Sequence, residues 1–331
     1  MPPPPDLPGC AELTAGLHVV RVPLTVPFRG VTAREAVLVR GPAGWGEFAP
    51  FVEYGDAESA RWLAAAVEAA WTGWPAPRRD SVPVNATVPA VPAAAVPGVL
   101  ARFPGCTTAK VKVAQAGQAL ADDVARVAAV RDLLGPAGRI RVDANGAWSV
   151  PAAVEALTAL APYGLEYAEQ PCAGVPELAA LRRELAGAVP VAADESVRKA
   201  ADPERVALAG AADLVVLKVA PMGGVRAALR VAAGCGLPVV VSSALDTSVG
   251  IAAGAALAAA LPDLPYACGL GTVGLLATDV TATPLAPLGG RLPVRAVAAD
   301  PSRLAELAAP ADRRDWWVDR LRRCHAVLAG S

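Results

Sequence analysis

Ionisable residues recur at near-even spacing through the middle of the chain: Lys110-Val111-Lys112, then Asp143, Glu169, Asp194 and Lys218. The steps from Lys112 onward are 31, 26, 25 and 24 residues. Three carboxylates brought to one point offer hard oxygen donors suited to Mg²⁺. Lysines beside them can move a proton once their pKa is brought down, as a neighbouring ammonium group and a dication would do. Lysine usage sets these positions apart. Of 30 basic residues only Lys110, Lys112, Lys199 and Lys218 are lysine; all others are arginine. A position that keeps lysine in such a chain points to a task arginine cannot perform, namely losing its proton near neutral pH. Lys199 follows Asp194 in a polar stretch and reads as a solvated charge.

Something must bring these groups together. Short apolar stretches at 84–88, 107–113, 139–143, 165–169, 189–194, 213–218, 238–242 and 265–269 read as strands. Helical patterns separate them, for example Leu120 to Leu134, Pro151 to Leu160 and Gly224 to Ala233. Alternating strand and helix implies a parallel sheet, and eight strands imply a closed barrel with its active groups at the C-terminal strand ends. The ionisable set falls at the ends of five consecutive strands. Strand ends border loops, where charge is cheap, but that does not account for the ordered series. Lys110 and Lys112 point to one side, Val111 and Val113 to the other. Arg141, two before Asp143, shares its side. Glu195 competes with Asp194 as a ligand, but alternation turns it away, so Asp194 is preferred. Ser242 and Ser243 end the seventh strand, where amides at the next helix start could hold an anion.

The remainder sets the frame. With 331 residues and 54% hydrophobic content there is ample core for one barrel and an accessory unit. Residues 1–81 read as a small α+β unit: strands at Val19–Val26 and Glu35–Arg40, a Gly41-Pro42 turn, and a helix from Asp56 to Trp71 ended by Pro75 and Pro77. The barrel occupies 82–289. The tail, 290–331, is rich in Pro and Arg and ends in a short helix carrying Trp316 and Trp317, which returns to the first unit. Charge is balanced, 30 basic against 31 acidic residues, which argues against a nucleic-acid partner. The six scattered cysteines read as reduced thiols, and Met1 to Pro5 lacks a signal-peptide pattern. Val249 to Leu261 is too short to span a bilayer; its Gly250-x-x-x-Gly254 reads as a helix lying close on the sheet. A cytoplasmic chain with no membrane partner, a candidate monomer, is expected. His18 and His325 stand outside the set, and Gly269-Leu270-Gly271-Thr272 lacks the strand-to-helix context of a dinucleotide site.

The order Lys-x-Lys, Asp, Glu, Asp, Lys resembles the enolase superfamily, in its muconate-lactonizing-enzyme-like branch. Arg141 to Trp148, Tyr167 to Pro171 and Ala193 to Ser196 resemble its three metal-ligand segments. The resemblance spans essentially the whole chain. It implies a (β/α)₇β TIM-like barrel capped by the N-terminal region and the C-terminal tail. It also implies that Asp143, Glu169 and Asp194 hold Mg²⁺, with Mn²⁺ as a substitute. Lys112 would be the acid/base, Lys218 its counterpart on the opposite face, and Lys110 an electrostatic tuner. Arg141, Ser242 and Ser243 would contact a small dicarboxylate substrate. Leu217 to Gly224 and Ser242 to Gly250 are similar to actinobacterial dehydratases of menaquinone biosynthesis. That implies loss of water from 2-succinyl-6-hydroxy-2,4-cyclohexadiene-1-carboxylate through an enediolate. Racemisation of N-succinylamino acids or dipeptide epimerisation on the same scaffold is the alternative. A non-catalytic barrel-fold binding protein is a remoter one.

Overall fold

The computed structural model describes residues 7–28, 30–198 and 210–330. Lys199 lies outside them. After α1 (Cys10–Ala15), three antiparallel strands form the first sheet: β1 (His18–Phe28), β2 (Val31–Gly41) and β3 (Gly44–Phe48). Helix α2 (Asp56–Val67) runs on into a π-helical turn, Glu68–Thr72. Strand β3 was not expected, because Gly44-Trp45-Gly46 breaks the strand pattern. Its glycine has a steric cause: a Cβ on Gly46 would stand 2.1 Å from the Ala66 carbonyl oxygen, so α2 lies directly on the sheet.

The barrel follows. Strand β4 (Ser81–Pro83) precedes β5 (Ala86–Val88), α3 (Val96–Leu100), β6 (Thr108–Lys112), α4 (Leu120–Leu134), β7 (Arg139–Asp143), α5 (Val150–Leu160), β8 (Leu165–Glu169) and α6 (Val175–Leu185). Then come β9 (Val191–Ala193), α7 (Glu195–Arg198), β10 (Leu214–Lys218), α8 (Val219–Met222), α9 (Val225–Cys235), β11 (Val239–Ser242) and α10 (Ser248–Ala260). Strands β5 to β11 lie side by side in chain order, all parallel. They are buried on both faces, which explains their near-continuous Val, Leu and Ala.

The expected eighth strand, 265–269, is reduced to a two-residue seam. Val84 bridges Cys268 and Ser242 bridges Gly269, both in parallel sense. The Cys268 amide donates to Pro83 at 2.7 Å and the Gly269 amide to Val241 at 2.8 Å, so the seam joins the two ends of the curled sheet. Helix α10 is apolar all round because it is covered all round, by the sheet on one side and β3 of the first unit on another. Its two glycines meet Leu270 and Glu47, not the sheet.

Strand β12 (Arg291–Pro293) pairs with β4. After α11 (Pro301–Glu306) the tail ends in α12 (Ala311–Ala329), which at 19 residues is longer than the short helix expected. Helix α12 lies along α2. Trp317 meets Phe48 edge-on at 5.9 Å, and its indole N–H donates to Glu35 at 2.8 Å. Arg320 donates to the Phe51 and Tyr54 carbonyls at 2.9 and 2.6 Å. Phe48, Phe51, Tyr54 and Trp317 belong to an apolar cluster distinct from the barrel core. All six cysteines are free thiols.

Candidate active site

Strand register sets the site. Lys112, Asp143 and Glu169 are successive cross-strand partners on β6, β7 and β8, so they form one rung at the strands' C-terminal ends. Glu169 pairs with Ala192, which puts Asp194 one step past the end of β9. Lys218, Ser242 and Gly269 form a second rung. Parallel strands in register thus gather residues that are 24 or more positions apart in sequence.

The side chains meet in ion pairs. Lys110 Nζ lies 2.9 Å from both Glu169 oxygens and 3.4 Å from Asp143 Oδ2. Lys112 Nζ donates to Asp143 Oδ2 at 2.5 Å and to Asn145 Oδ1 at 2.7 Å. Lys218 Nζ donates to Asp194 Oδ2 at 2.5 Å. The three carboxylates are about 1% exposed. Burial pushes the Glu169 carboxyl up to about 7, and the neighbouring Asp143 adds to the shift. Burial alone would also raise Asp143, but Lys112 and Lys110 outweigh it and hold Asp143 below the carboxylate range. Lys110 is raised, since Glu169 and Asp143 outweigh its burial. Lys112 is lowered, by burial and by Lys110, in spite of Asp143.

Three hard oxygen donors on adjacent strand ends fit a divalent cation. As they stand, each is turned onto a lysine, and among the described residues no three Asp, Glu, His or Cys side chains close around one point. A cation held there would compete with these ammonium groups for the same carboxylates. The raised Glu169 fits a cation there: two buried carboxylates flank it, and added positive charge relieves them.

A cavity opens over these groups. Lys110, Lys112, Asp143, Lys218, Ser242 and Ser243 line it from the barrel, and Phe28, Phe51 and Trp62 from the first unit. Ser243 Oγ lies 2.7 Å from the Gly269 carbonyl and 2.9 Å from Thr272 Oγ1. Two expectations change. Arg141 is on the expected side but one layer deeper, fully buried and not in the lining; it donates to Glu166 at 2.5 Å, Ala267 O at 2.6 Å and Asn85 at 3.1 Å. Two residues along a strand amount to about 6.6 Å of depth, which alternation alone does not express. The amides opening α10 are already engaged: Thr247 and Gly250 donate to Glu47, and Ser248 to Asp279. Glu195 also departs from alternation. It opens α7 instead of continuing β9, and it accepts from Asn145 Nδ2 at 3.2 Å.

Two supporting residues were not singled out from sequence. Asn145, at φ 48°, links Lys112 to Glu195. Gln170, at φ 38°, accepts from the Asp194 and Ser196 amides at 2.9 and 3.1 Å and so aligns the ends of β8 and β9. The signal available was an Asn or Gln one or two positions past a strand-end carboxylate.

The chain is similar to known proteins in sequence and in fold. A family model described as enolase C-terminal domain-like matches residues 99–298, and one described as enolase N-terminal domain-like matches 19–70. The o-succinylbenzoate synthase of Mycolicibacterium smegmatis is 59% identical over 323 residues, covering 97% of this chain and 99% of the relative. The chain belongs to the o-succinylbenzoate synthase family of the enolase superfamily. The family's Thermobifida fusca member is 64% identical over 286 residues, covering 86% of this chain and 89% of its own. The superfamily fold is also seen in the muconate lactonizing enzyme of Pseudomonas putida, with TM-score 0.75 at 21% identity, covering 89% of this chain and 98% of the other. The superfamily uses Mg²⁺ with a Lys or His base.

Proposed function

We propose that the chain catalyses the dehydration of 2-succinyl-6-hydroxy-2,4-cyclohexadiene-1-carboxylate to o-succinylbenzoate, a hydro-lyase reaction of menaquinone biosynthesis in the cytoplasm. The observation that carries this reading is the near-full-length identity to o-succinylbenzoate synthases, 58% over 328 residues in the Mycobacterium tuberculosis relative. Lys112 and Lys218 in one cavity supply the matching chemistry. No helix among the described residues is long and apolar enough to cross a membrane.

Asp143, Glu169 and Asp194 would hold Mg²⁺, or Mn²⁺ in its place. Bound there, the ion would draw charge from the substrate carboxylate and ease formation of the enediolate. Lys112, whose pKa burial lowers, takes as a neutral amine the proton from the carbon bearing the carboxylate. It then returns that proton to the departing hydroxyl group, the C–O bond breaks, and water leaves as the ring becomes aromatic. Lys218 supplies positive charge from the second rung. Ser242 and Ser243 line the wall that faces the substrate, and Lys110 stays charged and holds Glu169.

The test follows the loss of diene absorbance with purified protein and Mg²⁺. Chelation abolishes turnover and Mg²⁺ restores it; Asp194→Asn lowers kcat/KM by about 100-fold or more, the scale of lost metal charge stabilisation. A thermal shift on adding Mg²⁺, absent in Asp194→Asn, reads ion binding without turnover. Full activity in chelated protein or in Asp194→Asn overturns the assignment.

A further inference from the structure

The barrel wall of the cavity includes a stretch of unusual backbone. Ser242, Ser243, Ala244 and Leu245 all line the cavity, and Leu245 has φ 64°. A leucine in the left-handed region is strained, and the surroundings must hold it in place. Part of the restraint is internal: the Ala244 amide donates to Asp246 Oδ2 at 3.0 Å. The rest comes from the first unit. Glu47 on β3 accepts from the Thr247 amide at 3.2 Å, from Thr247 Oγ1 at 2.5 Å and from the Gly250 amide at 3.0 Å. Glu47 is buried, and Gly250 permits this approach, since a Cβ there would lie 3.0 Å from the Glu47 carboxyl. Arg34, also buried, completes the group. It donates to the Ala49 carbonyl and sits 4.4 Å from the Phe51 ring, so it fixes the opposite wall of the same cavity.

We propose that Glu47 is a positioning residue: reaching across from the first unit, it holds the strained Ser242–Gly250 segment in the shape that receives substrate. It touches no reacting group. Its removal lets Leu245 relax toward ordinary backbone angles and withdraws Ser242 and Ser243 from their places. Lys112, Asp143 and Glu169, on the other rung, keep theirs. Loss of Glu47 therefore weakens substrate binding more than it slows the chemical step. The claim that this wall receives substrate rests on the dehydratase reading; the claim that Glu47 shapes it does not.

Three variants test it: Glu47→Ala, the barrel-side Thr247→Val, and both together. Amide hydrogen exchange of peptides covering 244–251 is measured with steady-state dehydration and thermal melting. The expected result is faster exchange in 244–251, with β6 to β8 still protected. KM rises by about tenfold in Glu47→Ala, kcat stays within about threefold, and the double variant is little worse than Glu47→Ala. Exchange in 244–251 at the wild-type rate overturns the proposal. So does an unchanged KM accompanied only by a lower melting temperature, which is what a purely structural residue gives. Should Glu47→Ala fail to fold, Thr247→Val alone decides on the same criteria. If the wild-type protein does not turn over this substrate, the dehydratase reading fails, and exchange alone then upholds or overturns the role of Glu47.

Discussion

Lys112 and Lys218 are the same amino acid at equivalent strand ends, yet their surroundings differ. Lys112 shares Asp143 with Lys110, leans on Asn145 and faces the Phe28 ring at 5.4 Å, whereas Lys218 donates to Asp194. A one-face dehydration needs one proton shuttle. Lys112→Arg should then cost about 10² to 10⁴ in kcat, because a guanidinium keeps its proton. Lys218→Arg should retain part of the activity, and Lys218→Ala should lose more, about 10² or above, as for a missing electrostatic stabiliser. Kinetics of the three variants check this; equal losses in the two Arg variants would favour a two-base racemase. Any N-succinylamino-acid racemisation should disappear in both Arg variants. At this scale the sequence was informative, because charge is cheap at any one strand end but five consecutive strands carry an ionisable residue at their last position or one past it. The depth of Arg141 and the direction of Glu195 were not legible. One depends on which barrel layer a residue occupies, the other on the residue where a strand gives way to a helix.

Two elements of the barrel begin on carboxylates that belong to the first unit. Glu47 meets the start of α10, and Glu68 meets the start of α9, accepting from the Arg226 amide at 3.1 Å. Helix starts carry unpaired N–H groups and partial positive charge, so each carboxylate satisfies donors that would otherwise be orphaned. Glu47 has a further property. Burial, then Asp246, push its carboxyl up to about 8, against the pull of Thr247 and Arg34. A carboxyl raised on folding contributes stability that is complete below its unfolded value, near 4.5, and is lost as pH rises through about 8. Glu47→Gln stays neutral, so its stability relative to wild type should improve between about pH 5 and pH 8 and level off above that; urea unfolding at several pH values measures this. Gly46→Ala should cost about 1–3 kcal/mol in the same assay, since the new methyl meets the Ala66 backbone. The alternating pattern gave most of these elements. It could not give β3, whose glycines answer to a helix packed over them, nor reveal that the eighth strand is only a seam between Val84 and Ser242.

For the whole molecule we propose three stretches, 1–81, 82–289 and 290–331, with the last serving the first. The change of rhythm near Ser81 and Gly290 is the sequence sign of it, and α12 along α2 is the structural one. Trp317, fully buried between Phe48 and Glu35, should be its anchor. Trp317→Ala should cost about 3–5 kcal/mol. The loss should appear in denaturant unfolding and as raised KM, because Phe51 and Trp62 of the same cluster line the cavity. The scarcity of lysine has a consequence for how the enzyme can be watched. In a chain labelled only at lysine Cε with ¹³C, the magnetic resonance spectrum holds at most four side-chain signals. Three arise from Lys110, Lys112 and Lys218, all lining one cavity. With the 26 arginines silent, a pH titration of that spectrum follows the lysines of the site directly. The Lys112 signal should move at a pH below the ordinary lysine range while that of Lys110 holds still.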